Sequence, residues 1–369
     1  MSRRLILCSF VCFSFLLFFN PSFGQAQIHI SAHNSVLMEA STGRVLFDKK
    51  AHDIQSVASL TKVMTAIIVI EADQMDDSAT ASRRAIHTSG SSIYLEQGEQ
   101  MTVEDLTYGL MLRSGNDAAV TLAEHIGGSV EGFVHLMNEK AKWLGMTNTN
   151  FANPHGLEDE NHVSTAYDLA ILMRYAMDNK TFRNISRTKK YRANNRSYDW
   201  FNKNKLLTHL YEHCTGGKTG FTKRAGRTLI TTAKQNNMDL IAVTLNASND
   251  WQDHIQLFEW GFNHFEMTLI DDHYYFPEQF KQINPQENNL EKSFKRYPLT
   301  SKEKLLLQND RMNKQSTNKS HSKHNHNALN ENPLAGHYPT TNDLSTTENF
   351  LISVKHVYQR IVHMKGSAQ

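Results

Sequence analysis

The sequence predicts a mixed α/β fold (α+β), in which an antiparallel sheet receives strands from both ends of a domain and a block of helices is inserted between them. Two pairs of β-rich runs predict hairpins, one from Ser35 to Phe47 and the other from Arg227 to Leu245. Between these hairpins, apolar residues recur at helical spacing. The 369 residues, of which 40% are hydrophobic, can bury a large core. A net charge of only +2 argues against nucleic acid as the main partner.

Residues 1–26 are predicted to be a secretory signal peptide. A short basic start precedes an apolar run from Leu5 to Phe19, and small residues follow near Gly24. An uncleaved anchor is the alternative, but this run of about 15 residues is shorter than the roughly 20 that a spanning helix needs. The mature protein is therefore expected outside the cytoplasm, secreted through this peptide.

The elements of the next domain, residues 27–265, follow in order. The first hairpin turns at Ala40 to Gly43, and the second turns at Gln235 to Asn237. The segment from Lys62 to Ala72 is apolar almost all round, which predicts a helix buried in the core. Further segments have helical spacing: Val103 to Leu112, Ala118 to His125, Phe133 to Leu144 and Ala166 to Met177.

The composition changes after Phe265. The chain from Asn284 to Asn332 is rich in Asn, Gln, Lys and Ser and contains a cluster of histidines from His321 to His326. A metal site is the alternative there, but a solvated loop is favoured because no carboxylate or cysteine accompanies the histidines. Apolar residues from Asn349 to Lys365 recur at three- and four-residue steps, which predicts an amphipathic helix in a membrane interface. Its alternative is docking on the protein's own small domain.

One cysteine, Cys214, remains after removal of the signal peptide, so no internal disulfide is expected. A thiol four residues before Lys218 could act as a nucleophile. The favoured interpretation is that Cys214 is a small strand residue near the active site, because Ser59 and Lys62 already supply a nucleophile and its base.

Three short motifs occur in a fixed order and together indicate an active-site serine enzyme. They are Ser59-Leu60-Thr61-Lys62, Ser114-Gly115-Asn116 and Lys218-Thr219-Gly220. Since Ser59 and Lys62 are three residues apart at a predicted helix start, their side chains can meet as nucleophile and base. The base role requires burial or a neighbouring cation, such as Lys218, to lower the pKa of Lys62.

The second motif lies between two predicted helices. A tight turn, relaxed by Gly115, would point two polar side chains into a cleft. Ser114 is expected to relay a proton. Asn116 is expected to hold Lys62 and a substrate carbonyl, because its amide both donates and accepts.

The third motif belongs to the glycine-rich strand from Thr215 to Thr222. The missing side chains would let a substrate backbone approach and pair with the strand edge. Lys218 would then reach a carboxylate. The N–H of Phe221 is the expected oxyanion donor beside that of Ser59.

With these residues, the chain resembles the low-molecular-mass penicillin-binding proteins, the D-alanyl-D-alanine carboxypeptidases of serine peptidase family S11. Segments across residues 30–265 are similar to signatures of that family: Ala58 to Met64, Gly109 to Ala119, Asn153 to Leu157, Ser164 to Asp168, Asn202 to Leu207 and Gly216 to Thr222. Within the family, the chain is most similar to the sporulation-specific enzymes of Bacillus-type spore formers, which trim peptides in the spore cortex.

The resemblance implies the penicillin-binding and β-lactamase-like transpeptidase fold for residues 27–265. It further implies a small β-rich domain at residues 266–345 and an amphipathic membrane-anchor helix at residues 346–369. The implied substrate is a peptidoglycan stem pentapeptide, whose penultimate D-alanine acylates Ser59 while the terminal D-alanine is released. β-Lactams would trap the same serine, and no cofactor or metal is expected.

The resemblance also implies residue roles. The catalytic positions are Ser59, Lys62, Ser114 and Asn116, and the substrate-binding positions are Lys218, Thr219, Gly220, Phe221, His155 and Lys203. His155 matches a histidine linked to deacylation. Well-studied members have arginines where Lys203 stands and after the second hairpin, where Asn246 to His254 contains none. Lys218, more than any arginine, is therefore expected to govern recognition of the terminal carboxylate, followed by Lys203 and Arg224.

Two rival functions remain open from the sequence. A β-lactamase of the same fold would need a carboxylate to activate water, and Glu158, Asp159 and Glu160 lie in the relevant interval. An inactive wall-binding scaffold would keep the fold without the chemistry, but the intact Ser59 and Lys62 argue against it.

The amphipathic segment gives a first prediction. Truncation after Thr347 is expected to release the mature enzyme from membranes without loss of activity, because it removes the apolar stripe alone. The measurement is the fraction that pellets with membranes, with activity on a peptide ending in D-Ala-D-Ala as the control. Equal pelleting of truncated and intact protein would contradict the anchor.

Overall fold

The computed structural model describes residues 28–266 and the backbones of residues 268–270 and 273–275. The predicted signal peptide, the histidine-containing tract and the amphipathic helix lie outside the described residues. Most of the predicted domain at 266–345 also lies outside them.

A five-stranded antiparallel sheet forms the centre of the described fold, with the strand order β2-β1-β9-β8-β7. The strands are β1 (Asn34–Glu39), β2 (Val45–Lys49), β3 (Ser78–Thr80), β4 (Gln100–Thr102), β5 (Lys190–Tyr191), β6 (Trp200–Phe201), β7 (Cys214–Thr222), β8 (Gly226–Gln235), β9 (Met238–Ala247), β10 (Thr268–Ile270) and β11 (His273–Tyr275). Because β1 pairs with β9, both predicted hairpins join one sheet, as expected. Strand β7 lies at an edge of that sheet.

The helical block lies between the two hairpins in sequence. Its helices are α1 (Lys62–Glu71), α2 (Arg83–Ile86), α3 (Val103–Tyr108), α4 (Asn116–Gly127), α5 (Val130–Trp143), α6 (Ala166–Asp178) and α7 (Lys180–Ser186), and α8 (Asp250–His264) follows the sheet. All ten residues of α1 are buried, which confirms the prediction of a core helix. None of the helices in the described part of the chain is long and apolar enough to cross a membrane.

The sheet has an apolar cluster on each face. In β9, Ile241 and Val243 pack into the larger cluster with the helical block. Leu240 and Ala242 alternate with them and pack into the smaller cluster with α8. This period of two is what an internal strand with two buried faces requires. The same alternation therefore assigns the side chains of β7 and β8 to one face or the other.

The predicted helix from Val103 to Leu112 changes character before its end. The α-helix ends at Tyr108, and residues Gly109–Arg113 form a π-helical turn. A π turn widens the helix by one residue and is frequent at functional sites. This turn delivers the chain to Ser114, in the second motif.

A buried ion pair joins three helices of the block. The Nζ of Lys140 in α5 lies 2.8 Å from Glu71 Oε2 at the end of α1, and both side chains are almost fully buried. Lys140 also donates to the Tyr175 hydroxyl of α6 at 2.9 Å, and that hydroxyl donates to Glu71. Removing one member would leave a buried charge without compensation.

Replacement of Lys140 with Met is expected to lower the free energy of unfolding by about 3–5 kcal/mol, because Glu71 loses its counter-charge. Urea unfolding measures this loss. The exposed neighbour provides the control, since Lys142→Met is expected to change stability by less than about 0.5 kcal/mol. Equal urea midpoints for the Lys140→Met and parent proteins would contradict the assigned role.

Candidate active site

The side chain of Lys62, the first residue of α1, lies at the centre of the three motifs. Its Nζ is 3.0 Å from Ser59 Oγ, 2.7 Å from Asn116 Oδ1 and 2.6 Å from the carbonyl oxygen of His155. The amide and carbonyl oxygens only accept hydrogen bonds, so they orient two N–H bonds of a neutral amine. The lone pair of that amine is then left to accept the proton of the Ser59 hydroxyl.

The protonation state of Lys62 fits this geometry. Burial lowers the pKa of Lys62 well below its ordinary value, and the positive charges of Lys218 and Lys203 lower it further. Burial disfavours the charged form of an amine, and nearby cations act in the same direction. Lys62 is therefore equipped to act as a base at neutral pH.

The motif suggested that Ser59 lies at the start of an α-helix, but Ser59 lies just before that helix. It belongs to the 3-10 turn Ala58–Thr61, and the α-helix begins with Lys62. Ala58 adopts a left-handed backbone conformation, with φ of 49°. This strained backbone conformation is stabilised by Thr61, whose hydroxyl donates to the Ala58 carbonyl at 2.8 Å.

The support behind Ser59 includes His162, which the sequence analysis missed. Its Nε2 is 2.6 Å from Thr61 Oγ1, while its Nδ1 accepts from the Ala152 N–H at 3.0 Å. The hydrogen of the neutral ring therefore lies on Nε2 and points to Thr61. Burial lowers the pKa of His162 to about 4, so the ring is neutral at pH 7.

Two glycines allow other segments to approach the turn that contains Ser59. Gly156 has φ of 85°, and a Cβ there would lie 2.0 Å from the Ala58 carbonyl oxygen. A Cβ at Gly220 of β7 would lie 3.0 Å from the Ser59 nitrogen. Strand β7 can therefore pack directly beside Ser59 only because it lacks a side chain at this point.

The turn of the second motif corrects one expectation. Ser114 adopts the left-handed conformation, with φ of 63° and ψ of 34°, whereas Gly115 has φ of −58°. Glycine is required for space, since a Cβ at Gly115 would lie 2.9 Å from Asp117 Oδ1. Asn116 then begins α4, and its Nδ2 donates to the Ser89 carbonyl at 2.6 Å.

Lys218 is the second buried amine of the site. Its Nζ donates to Ser114 Oγ at 3.1 Å and to the Thr219 carbonyl at 2.8 Å. Burial lowers the pKa of Lys218 to about 7, with a further contribution from the charge of Lys203. The amine is therefore only partly protonated at neutral pH before a carboxylate binds.

His155 and Lys203 contribute differently from the motif residues. The carbonyl of His155, rather than its ring, contacts Lys62. The ring Nδ1 accepts from the Leu157 N–H at 3.2 Å, and burial lowers the pKa of His155 to about 3, with the charge of Lys62 adding to this effect. Lys203 donates from Nζ to Ser91 Oγ at 3.1 Å, and its charge reaches both buried lysines.

The outer edge of β7 is unpaired within the described sheet. Thr219 and Gly220 are half-buried there, and the Phe221 ring is exposed. Cys214, at the start of the strand, packs in the smaller apolar cluster. Burial raises the pKa of Cys214 to about 11, so its thiol stays protonated and is a poor nucleophile.

The carboxylates that a β-lactamase would need are turned to solvent. Glu158 accepts from the Arg224 N–H at 2.9 Å, and Asp159 accepts from the Asn161 N–H at 2.8 Å. Both are exposed, as is Glu160. Within residues 28–266, no group of three or more His, Cys, Asp or Glu side chains is arranged to hold a metal ion.

The chain is similar to a known family of peptidases. The family model of the D-alanyl-D-alanine carboxypeptidases, peptidase S11, matches residues 22–249. The D-alanyl-D-alanine carboxypeptidase DacF of Bacillus subtilis is 37% identical over 251 residues, which cover 65% of this chain and 64% of DacF. The carboxypeptidase DacC of Escherichia coli is 36% identical over 69% of this chain and 68% of its own length. The chain thus spans about two thirds of these relatives.

Solved structures are similar over the same region. Penicillin-binding protein 6B of Escherichia coli aligns with a TM-score of 0.63 and 32% identity, covering 70% of this chain and 86% of that protein. Penicillin-binding protein 5 of Haemophilus influenzae aligns with a TM-score of 0.63 and 34% identity, covering 66% and 74%. The predicted transpeptidase fold is therefore confirmed for the region covered.

The two lysine pKa values predict a bell-shaped pH profile for acylation of Ser59. Neutral Lys62 is gained as pH rises through its lowered pKa, while protonated Lys218 is lost above about 7. The rate constant for labelling by a fluorescent penicillin, measured from pH 5 to 10, is expected to fall on the alkaline side about tenfold per pH unit. Lys218→Arg, which stays charged, is expected to lose this alkaline fall. An unchanged alkaline limb in that variant would contradict the assignment.

Proposed function

The chain belongs to the peptidase S11 family of D-alanyl-D-alanine carboxypeptidases, and we propose that it removes the terminal D-alanine from peptidoglycan stem pentapeptides. The observation that carries this proposal is the buried amine of Lys62, 3.0 Å from Ser59 Oγ and oriented by two obligate acceptors. A serine hydroxyl becomes a useful nucleophile at neutral pH only when such a base takes its proton.

In the acylation step, Ser59 Oγ attacks the carbonyl carbon of the penultimate D-alanine while its proton passes to Lys62. The backbone N–H groups of Ser59 and Phe221 stabilise the negative oxygen that forms. When the tetrahedral intermediate collapses, Lys62 gives up the proton that it took from Ser59, Ser114 relays that proton to the leaving nitrogen, and D-alanine departs with Lys62 neutral again. Ser114 is suited to this transfer because its Oγ accepts from the Nζ of Lys218 at 3.1 Å.

Deacylation uses the same base. Water attacks the ester carbonyl while Lys62 takes a proton from that water. Lys62 then returns a proton to Ser59 Oγ, and the product, which is one D-alanine shorter, leaves. His155 supports this step by fixing Lys62 through its carbonyl, with a neutral ring beside the cleft. β-Lactams form the corresponding ester with Ser59 and keep the leaving group attached, which makes them inhibitors and labels.

Substrate is proposed to pair with the open edge of β7, which is glycine-rich and unpaired on that side within the described sheet. Lys218 and Thr219 then face the terminal carboxylate, and Lys203 adds positive charge nearby. The enzyme would act outside the cytoplasm on the cell wall or spore cortex. It would be attached peripherally to the outer face of the cell membrane through residues 346–369.

The decisive experiment measures D-alanine released from a pentapeptide ending in D-Ala-D-Ala. The parent enzyme is expected to release it, and Ser59→Ala is expected to lower kcat/KM by about 10⁴-fold or more, because the nucleophile is lost. Covalent penicillin labelling is expected to disappear with it. Ser41→Ala, an exposed serine outside the cleft, is the control and is expected to keep full activity. Stoichiometric labelling of the Ser59→Ala protein would refute the assigned nucleophile.

A further inference from the structure

An arginine lies on β8, the strand next to the edge strand β7. In the pairing of β7 with β8, Arg227 stands directly opposite Phe221, and Leu229 stands opposite Thr219. Opposed residues in an antiparallel pair share a face, and diagonal neighbours are about 7–8 Å apart, within reach of a long side chain. Arg227 is thus the diagonal neighbour of Thr219 on the same face.

The first residues of α8 hold the guanidinium of Arg227. Its Nε and Nη2 donate to Asp250 Oδ1 at 2.9 and 2.5 Å, and the guanidinium carbon lies 5.6 Å from the centre of the Trp251 ring. The Asp250 side chain is 4% exposed, whereas that of Arg227 is 42% exposed. One edge of the planar group is therefore fixed by a buried carboxylate, and the rest is accessible.

The accessible atoms can accept an anionic ligand. Among the described residues, Arg227 Nη1 and the hydroxyl of Thr219 have no hydrogen-bond partner. An arginine fork binds a carboxylate with two parallel donors, and one edge remains available when the other is occupied. A hydroxyl and a guanidinium on one face of neighbouring strands form a suitable pair of donors.

We propose that Arg227, oriented by Asp250, binds the terminal carboxylate of the substrate together with Thr219, and so determines the preference for a free carboxyl end. The inference rests on the proposed function. It adds an oriented guanidinium to the expected action of Lys218.

A second cation is needed for a physical reason. Lys218 is buried, already donates to Ser114 and Thr219, and is only partly protonated at pH 7 because burial lowers its pKa to about 7. A guanidinium stays charged at every physiological pH. Arg227, although it is paired with Asp250, therefore offers the carboxylate the N–H donors of a charged group before Lys218 has taken up its proton.

The experiment compares kcat/KM for a peptide ending in D-Ala-D-Ala with kcat/KM for its C-terminal amide, which lacks the negative charge. In Arg227→Met, the acid-to-amide ratio is expected to fall about 10- to 150-fold, the range expected when a charge-assisted hydrogen bond is lost. The amide itself is expected to react within about threefold of the parent rate. Arg227→Lys is expected to retain part of the preference, because it keeps the charge but loses the fork.

A matched control has the same kind of ion pair elsewhere. Arg192 donates to Asp199 at 2.6 Å on the surface, and Arg192→Met is expected to keep the parent ratio. If Arg227 served only to fasten α8 to the sheet, acid and amide would lose activity equally, and that result would overturn the proposal. Should the Met variant be unfolded in a thermal scan, Arg227→Gln, which keeps a donor toward Asp250, replaces it.

The design separates this inference from the proposed function. A parent protein that released no D-alanine would refute the peptidase activity. The same charge comparison is then made with Ser59 labelling by benzylpenicillin and by its methyl ester, which lacks the carboxylate. An unchanged acid-to-ester ratio in Arg227→Met would overturn the role of Arg227, whereas a fall of about 10-fold or more would support it.

Discussion

The burial of two lysine amines in one cleft is the constraint on which the rest of the site depends. Neither Lys62 nor Lys218 can remain fully charged out of water and close to the other. Burial and the charges of Lys218 and Lys203 therefore favour a neutral Lys62, whose N–H bonds are oriented by the acceptor oxygens of Asn116 and His155. Those acceptors come from distant parts of the chain, so the fold must close around α1 before the base exists.

Backbone strain in the cleft occurs at the residue before Ser59 and at Ser114 itself. Ala58 and Ser114 both have positive φ, which is costly for residues with a side chain. Each conformation turns a serine toward a buried lysine. The cost is offset by the fully buried helix α1 and by the hydrogen bond from Thr61 to the Ala58 carbonyl.

The edge strand β7 combines two requirements that usually conflict. An open strand edge invites unwanted pairing between chains, and a glycine-rich strand is intrinsically weak. Here the edge is kept in place by β8, and Gly220 lets it approach Ser59. On the face of the sheet that packs against α8, Asp250 fixes the side chain of Arg227 in β8. This ion pair helps to hold β8, and β8 holds the glycine-rich strand β7.

The sequence by itself determined the hairpins, the buried helix α1 and the ordered motifs, because two-residue and helical periods and fixed spacings are local properties. Only the tertiary structure decided which residues meet across long intervals. The contact of His162 with Thr61 spans 101 positions, and the place of Arg227 beside Thr219 follows from strand register. The left-handed turn at Ser114 rather than Gly115 is likewise set by surrounding packing, since local propensity favours glycine there. Such contacts are fixed by the packing of whole elements, which no short pattern in the chain encodes.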